Sequence, residues 1–122
     1  MIERAGYIPD IVGLTPEYET LTFHTGSKHL EVKVPLLSLE QQSELVKQVR
    51  HHSCSILKQL KVTEIVEIIS DVIEQLLDRT NPYRQKAEEL LPIVTGYDEK
   101  MIRLGLTSYL KTFRQHELLR FF

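Results

Sequence analysis

Residues 62–78 read VTEIVEIISDVIEQLLD, and this stretch decides the fold. Val62, Ile65, Val66, Ile69, Val72, Ile73, Leu76 and Leu77 recur at three- and four-residue intervals, which is one stripe of an α-helix. The opposite side carries Glu64, Glu67, Asp71, Glu74 and Asp78, with no Lys or Arg between Val62 and Asp78. The spacing predicts an amphipathic helix that starts near Thr63 and presents an acidic outer face.

Toward the C-terminus, Asn81-Pro82 supplies an N-cap followed by proline at the first helical position. A helix is expected through Tyr83, Ala87, Leu90 and Leu91, with Pro92 ending or kinking it. Gly96 punctuates, and Asp98 caps a further helix. Its stripe is Met101, Ile102, Gly105, Leu106, Tyr109, Leu110 and Phe113. Gly105 lies within that stripe, where a missing side chain would let a neighbouring helix approach closely. Gln115–Phe122 either continues this helix or starts another.

Toward the N-terminus, Ser38 and Gln41 have the spacing of a capping box. Leu39, Val46, Val49, Ser53, Ile56, Leu57 and Leu60 then trace one helical face. The first 37 residues differ, because Pro9, Gly13, Pro16, Gly26 and Pro35 punctuate them too densely for helix. Within them, Thr20–His24 and His29–Val34 alternate apolar and polar residues around Gly26-Ser27, a type II′ turn pair. Pairing Thr25 with Lys28 sets Phe23 opposite Leu30 and Leu21 opposite Val32 on an apolar face. The polar face then matches Thr22 with Glu31, Thr20 with Lys33 and His24 with His29. A slip of one residue would destroy this sorting. The expected fold is mostly α, α+β by a strict count. Residues 1–37 form an extended arm with a β-hairpin at about 20–34, and residues 38–122 form a region of four to five helices.

Composition narrows the function classes. The 122 residues carry a formal net charge of −2, so non-specific nucleic-acid binding has no overall electrostatic support. The single cysteine permits no internal disulfide and fits a reducing compartment. Met1–Gly13 lacks a secretory pattern, and no apolar run is long enough for a membrane span, so a cytoplasmic setting is expected. The chain closes on Leu118-Leu119-Arg120-Phe121-Phe122 without a Gly, Asn or Pro stop, which reads as the N-terminal piece of a longer protein.

The chemistry-bearing residues are sparse. Cys54 is the one thiol, and helical spacing brings His51 near it, but both fall on the polar side of a regular helix that offers no oxyanion hole or cleft. His24 and His29 are cross-strand neighbours, yet two ligands fall short of the four of a structural zinc site. His51, His52 and His116 lack HxxxH spacing. Glu88 and Glu89 are adjacent on a helix and point differently, which suits no acid–base pair. The tyrosines 83, 97 and 109 and the phenylalanines 113, 121 and 122 read as core or interface. Lys100, Arg103, Lys111, Arg114 and Arg120 give the last segment a positive balance against the acidic helix. The plainest reading is two solvated faces, with mutual docking or a partner as alternatives. No P-loop, GxGxxG, CxxC, HExxH or Ser-His-Asp order occurs. No catalytic, cofactor-binding or metal-ligating residue is assigned.

One stretch resembles a known family. Thr95-Gly96-Tyr97-Asp98-Glu99-Lys100-Met101-Ile102-Arg103-Leu104-Gly105-Leu106, continued by Tyr109-Leu110-Lys111-Thr112-Phe113-Arg114 and Leu118-Leu119-Arg120-Phe121, is similar to the N-terminal region of acyl-CoA reductases. These are relatives of the fatty-acid reductase of bacterial bioluminescence, within the aldehyde dehydrogenase superfamily. The resemblance covers the last two-thirds of the chain. It implies reduction of a fatty acyl thioester, on coenzyme A or a protein, to an aldehyde with NADPH or NADH. It also implies a cysteine nucleophile and nucleotide-binding region located later in the enzyme. Cys54 matches no family nucleophile, so these residues would be non-catalytic, bind no cofactor themselves, and pack on the remainder of the chain. Homo-oligomerisation is a further expectation, since unpaired apolar surfaces associate. The alternative is a small helical protein-interaction module with no enzymatic activity.

Overall fold

The computed structural model describes residues 1–8 and 15–122. Pro9 and Gly13, two of the punctuating residues, lie outside this set. The chain divides into two compact units, Met1–Gln59 and Leu60–Phe122, and the helix Leu39–Ser55 belongs with the sheet in the first.

The first unit holds a three-stranded sheet of order β1-β3-β2, with β1 Ile2–Arg4, β2 Glu17–Thr25 and β3 Lys28–Leu36. The hairpin has the register expected from the alternation: Thr25 pairs with Lys28, His24 with His29, Phe23 with Leu30 and Leu21 with Val32. Gly26 turns the chain at φ +60°, which suits the first central position of a type II′ turn. The strands are longer than expected, and β1 adds a parallel pairing of Ile2 with Glu31 and Arg4 with Lys33.

The β1 ladder and Pro35 are related. Glu31 N–H donates to the Met1 carbonyl and Ala5 N–H to the Lys33 carbonyl, so odd residues of β3 face β1. Pro35 shares that parity, so its missing N–H costs β2 nothing and coincides with the end of the β1 pairing. Arg4 reaches back over this region, its guanidinium 5.4 Å from the ring centre of Tyr18 on β2. Leu30, 1% exposed, is the buried apolar residue of the sheet.

Helix α1 spans Leu39–Ser55 behind the expected capping box, in which Gln41 N–H donates to Ser38 Oγ and Ser38 N–H to Gln41 Oε1. A 3₁₀ turn, Leu57–Gln59, follows. No residue of α1 is buried, and its apolar stripe, including Leu39, Val46 and Val49, is exposed.

The second unit contains α2 Val62–Leu77, α3 Pro82–Thr95, α4 Glu99–Lys111 and a one-turn α5 Gln115–Leu118, closed by a 3₁₀ turn at Leu119–Phe121. Thus Gln115 starts a new helix, separated from α4 by Thr112–Arg114. Helix α2 packs on α3, α4 and α5, and α3 packs on α4. Val66 and Ile73 of α2 and Ile93 of α3 are its buried apolar residues. Each contributes about 1.5–3 kcal/mol through burial.

Two local expectations are corrected. Pro92 does not end α3; the helix runs three residues further and stops at Gly96, whose left-handed φ of 73° lets its N–H return to the Pro92 carbonyl. Pro92 is itself buried, so its ring serves packing. Gly105 does not admit a neighbouring helix, because a Cβ there would meet nothing within 4 Å. The stripe of α4 turns this position to open space.

Candidate functional site

The most highly connected polar cluster among the described residues is in the second unit. Arg84 belongs to the first turn of α3, where Asn81 Oδ1 caps the helix by accepting from Tyr83 N–H and Arg84 N–H. Its spacing to Ala87 and Leu91 puts it on the inward face, and it is 1% exposed. Every nitrogen of the guanidinium donates. Nε donates to Glu88 Oε1 at 3.0 Å, and Nη1 donates to the Leu76 carbonyl at 3.3 Å. Nη2 donates to the Arg103 carbonyl at 3.1 Å and to Thr107 Oγ1 at 2.8 Å. Leu76 lies in the last turn of α2, so Arg84 satisfies a carbonyl that has no partner within its own helix. One side chain therefore ties the end of α2 to the middle of α4.

Glu88 completes the cluster. Its side chain is 11% exposed and accepts from three arginines. Arg79, in the α2–α3 connection, makes a forked pair through Nε and Nη2, both at 3.2 Å. Arg84 approaches one carboxylate oxygen, and Arg103 Nε approaches the other at 3.0 Å. The hydrogen bonds from Arg79, then those from Arg84, outweigh partial burial and hold the Glu88 carboxyl down at about 2. The same pairing raises Arg79 above its ordinary value. An anion locked in this way neither takes nor gives a proton near neutrality. The arrangement suits holding helices together and is unsuited to acid–base chemistry.

The other sequence-selected residues are not members of this cluster. Cys54, His51 and His52 are exposed on α1, in the other unit. Glu89 is exposed while its neighbour Glu88 is largely covered, so the two carboxyls do point differently. His24 and His29 meet across the hairpin with ring centres 4.7 Å apart and their planes tilted. Among the described residues, no group of three or more His, Cys, Asp or Glu is arranged to hold a metal ion.

The charged faces require a correction. The acidic and basic segments are not simply two solvated faces, because Arg114 Nε pairs with Glu74 Oε1 at 2.9 Å. Beside it, Gln115 N–H donates to Ser70 Oγ at 3.3 Å, fixing the start of α5 on α2. Arg103 is drawn inward to Glu88. Glu64, Glu67 and Asp71 remain exposed, as do Lys100 and Lys111.

The aromatics also depart from a core role. Tyr109 meets Phe113 edge-to-face at 5.1 Å, yet Tyr83, Tyr97, Tyr109, Phe121 and Phe122 are exposed. Ile68 and Val72 of α2 and Met101 and Leu104 of α4 also face outward, Leu104 being 70% exposed. In the first unit, an open groove of about 850 Å³ runs between the end of β3 and α1. Leu36, Leu37, Glu40, Gln41, Glu44 and Lys47 are among its lining residues. Gln41 Nε2 donates to the Thr15 carbonyl at its edge. No described helix is long and apolar enough to cross a membrane.

Arg84 was missed by the sequence reading, although a signal existed: it occupies the inward face of α3, one turn before Glu88. Long charged residues at such positions ordinarily reach solvent.

The comparisons with known proteins bear on this second unit. No curated protein and no solved structure matches the chain. The family model described as acyl-CoA reductase (LuxC) matches residues 57–122, which span more than half of the chain and include the whole Arg84–Glu88 cluster. The chain therefore belongs to the acyl-CoA reductase (LuxC) family.

Proposed function

We propose that these residues are a structural, non-catalytic portion of an acyl-CoA reductase that converts a fatty acyl thioester to an aldehyde with NAD(P)H. The observation that carries this reading is the outward apolar surface of the family-matched helices. Ile68, Val72, Met101, Leu104, Phe121 and Phe122 all face away from the small core of Val66, Ile73 and Ile93. Such a surface suits packing against further protein. The remainder of the enzyme is the partner that the reading assigns.

Thiol chemistry supports the same division. The matched segment contains no cysteine, and Cys54 lies outside it on an exposed helix face. In the parent enzyme, a cysteine thiolate from elsewhere would attack the thioester carbonyl and release the coenzyme A thiol. NAD(P)H would supply the hydride that reduces the enzyme-bound acyl group to aldehyde. The aldehyde dehydrogenase superfamily and a cytoplasmic setting are part of this proposal.

The test is to incubate the purified 122-residue protein with long-chain acyl-CoA and NADPH or NADH. No dinucleotide oxidation and no saturable dinucleotide binding are expected; either one would overturn the non-catalytic reading. The outward faces also suit an interaction module with no enzymatic parent. The reading frame beyond codon 122 separates the two: a continuing chain with a cysteine and a nucleotide-binding region supports the reductase, and an immediate stop supports the module.

A further inference from the structure

His24 and His29 are placed by the fold in a way that favours shared ligation. The two-residue turn makes Thr25–Lys28 a hydrogen-bonded pair, so the adjacent His24–His29 pair is a non-hydrogen-bonded one. This is the position at which cross-strand side chains come closest, and the ring centres are 4.7 Å apart with their planes tilted by 41°. Both residues are exposed, so binding an ion there requires no opening of a core. Glu31, two residues along the same face, has Oε1 3.9 Å from His29 Nε2 and adds a negative charge beside the pair. His51 and His52 make a contrast: they are consecutive on a helix, and their ring centres are farther apart, at 5.9 Å.

We propose that His24 and His29 form an open, two-imidazole chelate for a borderline-soft divalent transition ion such as Ni²⁺ or Zn²⁺. Imidazole nitrogen suits these ions. Water fills the remaining coordination positions, which distinguishes this site from a closed structural zinc centre. Ligands from both strands couple binding to hairpin formation, because the unfolded chain does not hold the two rings together. The site lies outside the family-matched segment and is independent of the reductase reading.

The experiment titrates the 122-residue protein with NiCl₂ and, separately, ZnCl₂ by calorimetry, with hairpin amide exchange followed in parallel. Parallel titrations use His24→Gln, His29→Gln and the double control His51→Gln/His52→Gln. The expected result is one ion per chain, saturable binding lost in His24→Gln and in His29→Gln, and binding retained in the double control. Hairpin amides become better protected when the ion is bound. Absence of saturable binding overturns the proposal, as does binding that survives His24→Gln or disappears only in the double control. Retention of the hairpin exchange pattern in the metal-free variants distinguishes loss of a ligand from loss of the fold; if either Gln variant loses that pattern, the Asn variant at the same position decides in its place.

Discussion

Arg84 Nε lies 3.0 Å from Glu88 Oε1, one turn along α3, and this pair is the centre from which α2, α3 and α4 are held. The arginine is almost wholly covered, yet each of its contacts is made: a carboxylate, two backbone carbonyls and a threonine hydroxyl. A buried charge with so many partners is stabilised by its network, and truncating it strands several groups at once.

Arg84→Ala is therefore expected to destabilise the second unit by about 3 kcal/mol. Arg79 and Arg103 still neutralise Glu88 in that variant, which places the loss at the lower end for a broken buried pair. Urea unfolding followed by circular dichroism measures it. Arg114→Ala, which removes only the surface pair with Glu74, is expected to cost no more than about 1 kcal/mol in the same assay.

Acid should expose the Glu88 contribution. Its carboxyl is held at about 2 in the fold, below an ordinary value of 4.5. A depressed folded value means that the stabilisation is complete above pH 4.5 and is lost as pH falls from there through 2. Asp78, lowered by hydrogen bonds from the Thr80 backbone N–H and hydroxyl, acts in the same direction. Glu88→Gln should be less stable than the native protein near neutrality and show a flatter stability profile between pH 4.5 and 2. Equal slopes in unfolding free energy across that window would contradict the assignment.

Two glycines should respond in opposite directions. Gly26 has open space around it but a φ of +60°, so Gly26→Ala is expected to cost about 1–2 kcal/mol by backbone strain alone. Gly105 also faces open space, but within the regular helix α4, so Gly105→Ala should stabilise by about 0.5–1 kcal/mol. Hydrogen exchange of hairpin amides reads the first, and thermal unfolding reads the second.

These cases show what was legible in the sequence. Leu21, Phe23, Leu30 and Val32 alternate cleanly about Gly26-Ser27, and one register satisfies them, so the hairpin could be read residue by residue. The Ser38, Asn81 and Asp98 caps are short-range chemistry and were equally readable. Strand β1 was not, because Ile2–Arg4 is too short to show a period and pairs with β3 through long-range hydrogen bonds. Pro92 was read by its local helix-breaking tendency, but burial within α3 prevailed. The Glu88 cluster escaped for a related reason: Arg79, Arg84 and Arg103 are separated in sequence, and only the packing of α3 on α2 and α4 brings them to one carboxylate. No catalytic residue was assigned from the sequence, and the cluster at the centre of the second unit is arranged to fasten helices.

The proposed function places the acyl-transfer chemistry of an acyl-CoA reductase outside these residues. The most direct test incubates the intact enzyme with radiolabelled acyl-CoA in the absence of reductant and locates the bound acyl group by peptide mapping. The label is expected on a cysteine outside these residues, with Cys54→Ser leaving labelling and aldehyde formation unchanged. Label on Cys54, or loss of labelling in a folded Cys54→Ser enzyme, would contradict it.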